Sequence, residues 1–453
     1  MKRKSFEMDM TTGHLPRKIL SYAIPFIATG TLQLLFNTAD VIVVGRFAGV
    51  QALAAVGSTS SLISLIINLF MGLAVGVSVL VSQYFGANNH KGVHQTVHTS
   101  ITIAAICGVG VSVFGILAAK HLLHLMGSPD DVINLATLYL KIYFLGAPFI
   151  LLYNFGAAVL RAVGDTKRPL FFLTIAGIVN VILNLILVIN FHLGVAGVAI
   201  ATVASNGISA FLVLLCLHNS DGSYHLSLRN LKIYKSKLRD LIKIGLPAGI
   251  QSSLFSISNV LIQSTINSFG SVVMAGNAAS HTIEAFTYTA MNSVSQTALA
   301  FTGQNIGGKQ YKNLKTIFLW CSIYVTLIGL IMGGGSYLLA NPLIRVFNAD
   351  PIVIEAGTTR LLYICVPYFL IGLSDVFVGM LRGMGYSLLP MMISIVGICG
   401  LRVAWIYTAF IMYPTLITVY LSYPISWTIT GIIQAICLFV ILNKFTKSKK
   451  EGI

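Results

Sequence analysis

Residues 160–169 read LRAVGDTKRP, and residues 381–390 read LRGMGYSLLP. The two stretches share the pattern Leu-Arg-x-x-Gly-x-x-x-x-Pro and start 221 positions apart. Two further landmarks keep the same spacing: Gln83-x-x-Gly86 with Gln304-x-x-Gly307, and Gly49 with Gly270. One spacing held at all three places indicates a duplicated unit. Duplicated apolar units are typical of secondary transporters, which place substrate and ion sites between or within their repeats.

The composition is that of a membrane protein. Of the 453 residues, 56% are hydrophobic and only 9% are charged, whereas soluble chains carry about 25% charged residues. Apolar runs of roughly 20 residues recur along the chain, and each can cross a bilayer as a helix. We predict an all-α polytopic membrane protein with twelve transmembrane helices in two six-helix lobes. The predicted spans are about 19–45, 53–84, 95–119, 132–160, 168–192, 195–217, 240–267, 275–303, 315–340, 353–381, 388–413 and 418–443.

The basic residues indicate how the chain is oriented. The formal net charge is +16, and 23 of the 29 lysines and arginines fall in the tails and loops of one side. The positive-inside rule makes that side cytoplasmic, with both termini inside and the spans in the plasma membrane. Nucleic-acid binding is not expected, because the charges are spread over separate short loops. We also expect no cleaved signal peptide.

The predicted domain organisation follows from the spans. It comprises a cytoplasmic tail at 1–16, an N-lobe at 17–217, a cytoplasmic linker at 218–239, a C-lobe at 240–444 and a second tail at 445–453. The linker pattern is compatible both with a short helix on the inner leaflet and with a solvated connection. The six cysteines fall within predicted spans without a CxxC pair, so we expect them to be small core residues.

Short motifs in both halves resemble those of the multidrug and toxic compound extrusion (MATE) transporters. In chain order they are Pro25, Asn37-x-x-Asp40-x-x-x-x-Gly45, Gln83-Tyr84-Phe85-Gly86-Ala87, Arg161-x-x-Gly164-Asp165-Thr166, Pro169, Asn180, Gly245-Leu246-Pro247 and Gly303-Gln304-Asn305-Ile306-Gly307. The match extends over essentially all predicted spans, and the chain looks most like the DinF-type prokaryotic branch. The resemblance implies a V-shaped bundle of two lobes that exports organic compounds in exchange for inward H⁺ or Na⁺.

Three carboxylates lie within apolar runs, where a charged group is energetically costly and usually has a partner or a function. Asp40 lies in the first span, Glu284 in the eighth and Asp375 in the tenth. Removal from water favours the neutral form of a carboxyl group, so Asp40 is a candidate to load and release a proton. A structural aspartate held by hydrogen bonds is the alternative. The resemblance places the ion-coupling acid at Asp40 and implies these neighbours: Asn154, Asn180, Asn184 and Thr202.

The chain departs from the family pattern at two places. Asn184 stands where many relatives of the same branch carry Asp, which favours H⁺ over Na⁺ as the coupling ion, although Na⁺ at Asp40 remains open. Each asparagine could instead only join helices by hydrogen bonds. Phe255 and Ile371 stand where another branch has the acidic residues of its second-lobe Na⁺ site, so that site is not expected. We expect no cofactor and no firm metal site beyond the coupling ion.

A polar network is predicted in the second lobe, formed by His281, Glu284, Asp375 and Arg402. Arg402 lies inside the eleventh span, and we expect it to pair with Glu284 or Asp375, because an unpaired buried charge is costly. Arg360 is expected nearer the outer end of its span. Two interpretations stay open: a structural network, or a second protonation or cation-recognition site with His281 as a proton relay.

These features predict a monomeric antiporter that exports amphipathic, cationic organic compounds by alternating access. Its partners are then small organic molecules and the lipid bilayer. The alternative is a lipid-linked oligosaccharide or lipid flippase of the same superfamily. An enzyme is not expected, because the sequence has no HExxH, nucleophile-elbow or phosphate-loop motif.

Overall fold

The computed structural model describes residues 6–126 and 128–448, and the regular structure in these ranges is entirely helical. The predicted tails at 1–16 and 445–453 lie partly outside them. The first repeat contains α1 (Leu15–Val43), α2 (Val50–Gly86), α3 (His90–Leu125), α4 (Asp130–Leu145), α5 (Ala147–Ala162), α6 (Lys167–Leu185) and α7 (Gly194–His218). The second contains α8 (Lys235–Asn267), α9 (Ser271–Gly307), α10 (Asn313–Ile328), α11 (Gly334–Leu338), α12 (Ala340–Arg345), α13 (Pro351–Arg360), α14 (Phe369–Gly383), α15 (Leu388–Ser394), α16 (Leu401–Tyr407), α17 (Ala409–Met412) and α18 (Leu416–Ser448).

Several spans are built from more than one helix. Helices α4 and α5 form a single span bent by 45°. Others continue through π-helical turns, which cover Val44–Ala48, Ile186–Asn190, Gly329–Gly333, Leu361–Cys365 and Ile395–Gly400. Span ten also passes through a 3₁₀ turn at Val366–Tyr368, where Pro367 has no N–H group to continue the α-helical bonding.

The predicted set of twelve spans is confirmed, because each corresponds to one helix or one interrupted helix. Within the described residues, nine helices and the bent α4–α5 pair are long and apolar enough to cross a membrane. Helices α8 and α9 have 33 and 37 residues, which is ample length at about 1.5 Å per residue. Both are more polar than that: α8 has five charged residues in its first nine positions, and α9 carries twelve serine, threonine and asparagine side chains.

The described chain packs as two compact units. The first contains Ala28–Gly249 together with residues before Met10, and the second contains Met10–Ile27 together with residues from Ile250 onward. The sequence places the division at the polar linker instead, between 17–217 and 240–444. The difference arises because α1 and α8 are each divided between the two units.

The segment before α1 is packed where the structure describes it, whereas the sequence predicts a tail. Met10 is fully buried; its N–H donates to Gln304 Oε1 at 3.1 Å, and its carbonyl accepts from Asn305 Nδ2 at 2.9 Å. Asn313 Nδ2 donates to the Thr11 carbonyl at 2.7 Å. Side chains of the second unit thus satisfy the backbone of a segment that has no helix of its own.

The linker at 218–239 packs on the first unit. Leu226 is fully buried, the N–H of Ser227 donates to His98 Nε2 at 3.1 Å, and the N–H of Tyr234 donates to Thr99 Oγ1 at 3.1 Å. A 3₁₀ turn at Leu228–Asn230 is its regular structure before α8 begins. The linker thus has a packed part that includes Leu226, Ser227 and Tyr234 and an exposed part at residues 228–232.

The first half of α8 crosses α2 at very close range. A Cβ added at Gly245 would lie 2.6 Å from the Leu73 Cα, and one added at Gly249 would lie 2.2 Å from the Leu69 carbonyl oxygen. On the opposite helix, a Cβ at Gly72 would lie 2.1 Å from the Gly249 nitrogen. Glycine on both helices allows the backbones to touch, which is a common way to join helices in a membrane.

Candidate ion-coupling site

The first unit brings together Asp40 of α1, Asn180 and Asn184 of α6, and Thr202 of α7. Asn184 Nδ2 donates to Asp40 Oδ1 at 2.5 Å and to Asn180 Oδ1 at 3.2 Å. Thr202 Oγ1 lies 3.5 Å from Asp40 Oδ2 and donates to the Val198 carbonyl at 3.0 Å. Four of the five side chains predicted for this site therefore form one cluster. One helical turn separates Asn180 from Asn184, so both face α1.

Close packing of α1 on α6 sets the position of Asp40. A Cβ added at Gly177 would lie 1.8 Å from a carbon of the Phe36 ring, so the ring occupies the space that a side chain at 177 would need. Phe36 is one turn before Asp40, and Gly177 is one turn before the asparagine pair. π-Helical turns begin at Val44 and Ile186, just after Asp40 and Asn184. Such turns occur frequently at functional sites.

The Asp40 carboxylate is held by neutral donors. The salt bridges within the described ranges join Arg168 to Asp165 and Arg360 to Glu284, and neither involves Asp40. Asn184 is almost fully buried, and its Oδ1 is a buried atom with no hydrogen-bond partner in this structure. The cluster thus combines a half-buried carboxylate with one buried acceptor oxygen beside it that makes no hydrogen bond, and both groups are chemically able to accept a proton or a cation.

Asn154, the fifth predicted residue, does not join this cluster. It lies on α5, and its Nδ2 donates to the Ile150 carbonyl one turn earlier at 2.8 Å. A bond back to its own helix satisfies a polar group in an apolar span. Its repeat mate, Asp375 of α14, is placed differently: Oδ2 of Asp375 is buried without a hydrogen-bond partner.

The second unit holds a buried ion pair that differs from the predicted one. Arg360 Nη2 lies 2.5 Å from Glu284 Oε2, and Arg360 Nη1 donates to Asn277 Oδ1 at 2.5 Å. The Tyr368 hydroxyl donates to Glu284 Oε1 at 2.8 Å. Arg360 is 3% exposed and lies in the first third of the span Pro351–Gly383, so its location nearer the outer end of that span stays a prediction.

Arg402 has neutral partners, and the prediction that it pairs with Glu284 or Asp375 is wrong. Its Nε donates to Ser426 Oγ at 3.1 Å, and its Nη1 lies 3.5 Å from Asn259 Oδ1. The guanidinium carbon lies 4.1 Å from the centre of the Tyr423 ring. The predicted network of four residues is therefore divided, because the carboxylate expected for Arg402 is bonded to Arg360.

His281 lies one turn before Glu284 on α9, and its side chain is exposed. Three members of the buried network, Asn277, Arg360 and Tyr368, were not predicted. The signal for one of them is present in the sequence: Asn277 lies two helical turns before Glu284 on one face of α9. Arg360 of α13 contacts both Asn277 and Glu284. The sequence does not predict this contact, because it depends on how far along their lengths α9 and α13 meet.

Comparison with known proteins identifies the family. The MatE family model matches the chain twice, at residues 25–186 and 247–408, which together make up more than half of it. The chain is 28% identical over 430 residues to the "Probable multidrug resistance protein YoeA" of Bacillus subtilis (strain 168), covering 91% of each chain. It is 24% identical to the "FAD transporter" of Shewanella oneidensis, covering 85% of each.

Solved structures share the fold. A solved structure described as the "Outward-facing conformation of a multidrug resistance MATE family transporter of the MOP superfamily" superposes with a TM-score of 0.91 at 22% identity, over 98% of this chain and 100% of the other. A second, "Crystal structure of MATE in complex with MaL6", gives 0.91 at 23% identity over 98% and 100%. With its duplicated family match and its twelve spans, the chain belongs to the MatE family of membrane transporters.

Proposed function

We propose that this chain is a secondary exporter of organic compounds driven by inward H⁺ movement, with Asp40 as the residue that binds the proton. The family match and the names of its relatives support export. The observation that carries the coupling role is the Asp40 carboxylate itself, held inside a membrane-spanning unit by the amide of Asn184, with the hydroxyl of Thr202 at 3.5 Å.

Protonation would change which bonds this cluster can make. Ionised Asp40 only accepts hydrogen bonds, and Asn184 donates to it. Protonated Asp40 gains a hydroxyl donor, and the unpartnered Oδ1 of Asn184 is an acceptor on the same amide. A changed bonding pattern between α1 and α6 is the kind of difference that makes two conformations bind a proton unequally, as coupled transport requires.

The cluster supports H⁺ better than Na⁺ as the coupling ion. Sodium is a hard cation that prefers oxygen ligands, by the reasoning that applies to calcium and magnesium. Asn184 presents its NH₂ group to Asp40, and a donor in that position competes with a bound cation. Asn180, Asn184 and Thr202 add no negative charge, so Asp40 would be the only anionic ligand among them.

The proposed orientation places the basic loops in the cytoplasm and the spans in the plasma membrane. In the first unit, basic side chains in the first turns of α8 and α6 bond to tyrosines near these loops. Lys237 Nζ donates to the Tyr84 hydroxyl at 2.6 Å, and Arg168 Nη2 donates to the Tyr224 hydroxyl at 3.3 Å. For cargo we propose amphipathic organic cations, since relatives bear multidrug names and aromatic side chains are plentiful in the spans.

Dye transport in everted vesicles tests the proposal, with H⁺ and Na⁺ gradients imposed separately. Wild-type protein should move an ethidium-like dye under the proton gradient, and Asp40→Asn should abolish that movement. Asp131→Asn is the matched control, because Asp131 is an exposed aspartate of α4 in the same unit. Full proton-driven efflux by Asp40→Asn would refute the coupling role. Movement of fluorescent lipid without dye would favour a flippase instead.

A further inference from the structure

The charges inside the spans of the second unit do not balance, because the buried and half-buried groups are three arginines and two carboxylates: Arg360, Arg382, Arg402, Glu284 and Asp375. Arg360, Arg402 and Glu284 are 3%, 5% and 8% exposed. Glu284 is bonded to Arg360 at 2.5 Å. These three most buried charges are therefore two guanidinium groups and one carboxylate. A net positive charge in a membrane interior is costly unless an anion or a strong set of dipoles compensates it.

Arg402 is the member of this group without an anionic partner among the described residues. Its hydrogen bonds there go to Ser426 at 3.1 Å and, at a long distance of 3.5 Å, to Asn259. The rings of Tyr423 and Trp427 lie 4.1 and 5.6 Å from its guanidinium carbon. A guanidinium group has more N–H donors than these two bonds use, so donors remain for a ligand.

The aromatic rings beside Arg402 pack against one another. Trp427 packs edge-on against Tyr423 at 5.7 Å between ring centres and against Tyr368 at 5.3 Å. Tyr368 in turn donates to Glu284. The aromatic side chains thus link the paired arginine to the unpaired one, and they hold Arg402 in place without neutralising it.

Arg402 lies next to an exposed side chain. Arg402 is buried, but Asn259, whose Oδ1 is its most distant partner, has an exposed side chain. A ligand that approached along α8 beside Asn259 could replace the long 3.5 Å contact with a shorter bond to a charged oxygen. Charge-assisted bonds of arginine to carboxylate or phosphate are short and frequently bidentate.

We propose that Arg402 is an anion-binding site, which receives a carboxylate or phosphate group of a ligand beside Asn259, Tyr423 and Trp427. The group belongs to a free anion or to a lipid headgroup, and both share this chemistry. The proposal does not depend on Asp40 or on proton coupling, because it concerns the other unit and a different ion.

Trp427 provides the readout. In the purified full-length chain, Trp320→Phe and Trp405→Phe leave Trp427 as the one tryptophan, and iodide serves as a quenching anion. Saturable quenching is expected, with acetate and inorganic phosphate competing and the neutral analogue acetamide failing to compete. Competition by nanodiscs containing phosphatidylglycerol, but not by those of phosphatidylcholine alone, would identify a lipid headgroup as a source of the anion.

Variants of Arg402 complete the test. Arg402→Gln should weaken iodide and phosphate binding by about tenfold or more, because a charged contact is lost, whereas Arg402→Lys should keep part of it. Arg345→Gln, which removes an exposed arginine of the same unit, should bind as the parent does. Linear, unsaturable quenching in the parent, or equal competition by acetate and acetamide, would overturn the proposal even if Arg402→Gln fails to fold.

Discussion

Replacing Glu284 with glutamine keeps the shape of the side chain and removes the charge that Arg360 contacts. In the folded protein Glu284 accepts from Arg360 at 2.5 Å and from Tyr368 at 2.8 Å, in a position that is 8% exposed. The amide of the substituted side chain has one acceptor oxygen where the carboxylate has two. The variant thus leaves a buried guanidinium without its anion and one donor without its acceptor.

The expected loss of stability follows from these contacts. Removing one partner of a buried ion pair costs about 3–5 kcal/mol, mostly because the remaining charge is left uncompensated. Arg360→Met should cost a similar amount, since it leaves Glu284 buried and unpaired. The double variant removes both charges, so its cost should fall short of the sum of the single costs by about 2 kcal/mol or more.

Unfolding in mixed SDS micelles, followed by circular dichroism, measures the free energy of all four proteins of this double-mutant cycle. The matched control is Glu355→Gln, which removes an exposed carboxylate from α13 and should change stability by less than about 0.5 kcal/mol. Additive single costs, or a Glu284→Gln cost no larger than that of the control, would show that the pair does not hold the second unit together.

Three other changes have definite expected results. Gly245→Val should prevent folding, as judged by size-exclusion chromatography, because its side chain would enter the backbone of α2 near Leu73; Gly57→Ala, with no atom within 4 Å of the added carbon, should fold normally. Met10→Ala should lower the free energy of unfolding by about 2–5 kcal/mol, whereas Leu228→Ala, at an exposed position, should change it little; equal effects would refute the packing of the N-terminal segment. Asn184→Asp should make dye efflux respond to a Na⁺ gradient, because a second carboxylate faces Asp40, and unchanged ion dependence would contradict our account of ion choice.

The Asp40 cluster could be predicted from the sequence, and the reason is local. Asn180 and Asn184 share a helix face by spacing alone, and the resemblance supplied Asp40 and Thr202. Asn154 came from the same resemblance, yet it bonds to its own helix at Ile150. A family pattern fixes which helices face one another more reliably than it fixes the rotamer of each polar side chain.

The partner of Glu284 could not be predicted, because it depends on which arginine lies at the same level along the helices as Glu284. Arg360 and Arg402 are both arginines within apolar runs, and the sequence does not tell which of them crosses α9 at the level of Glu284. The N-terminal segment presents a similar problem. Met10 has no periodic pattern around it, and its burial depends on bonds from Gln304 and Asn305, almost three hundred residues away in sequence.

The sequence also does not predict that α1 and α8 are each divided between the two units. A polar linker ordinarily marks a domain boundary, and residues 218–239 are the longest polar connection. Glycines 72, 245 and 249 instead hold the first half of α8 against α2. Small residues spaced four apart indicate that α8 packs closely on another helix. The spacing does not show that this helix is α2.

Proton release on cargo binding tests the central claim most directly. Purified protein in weakly buffered detergent solution, at a pH where the transporter is loaded, is mixed with a transported dye while a pH indicator records free protons. If Asp40 carries the coupling proton, the wild-type chain should release about one proton per molecule, Asp131→Asn should release the same amount, and Asp40→Asn should bind dye and release none. Equal release from wild type and Asp40→Asn would contradict the account.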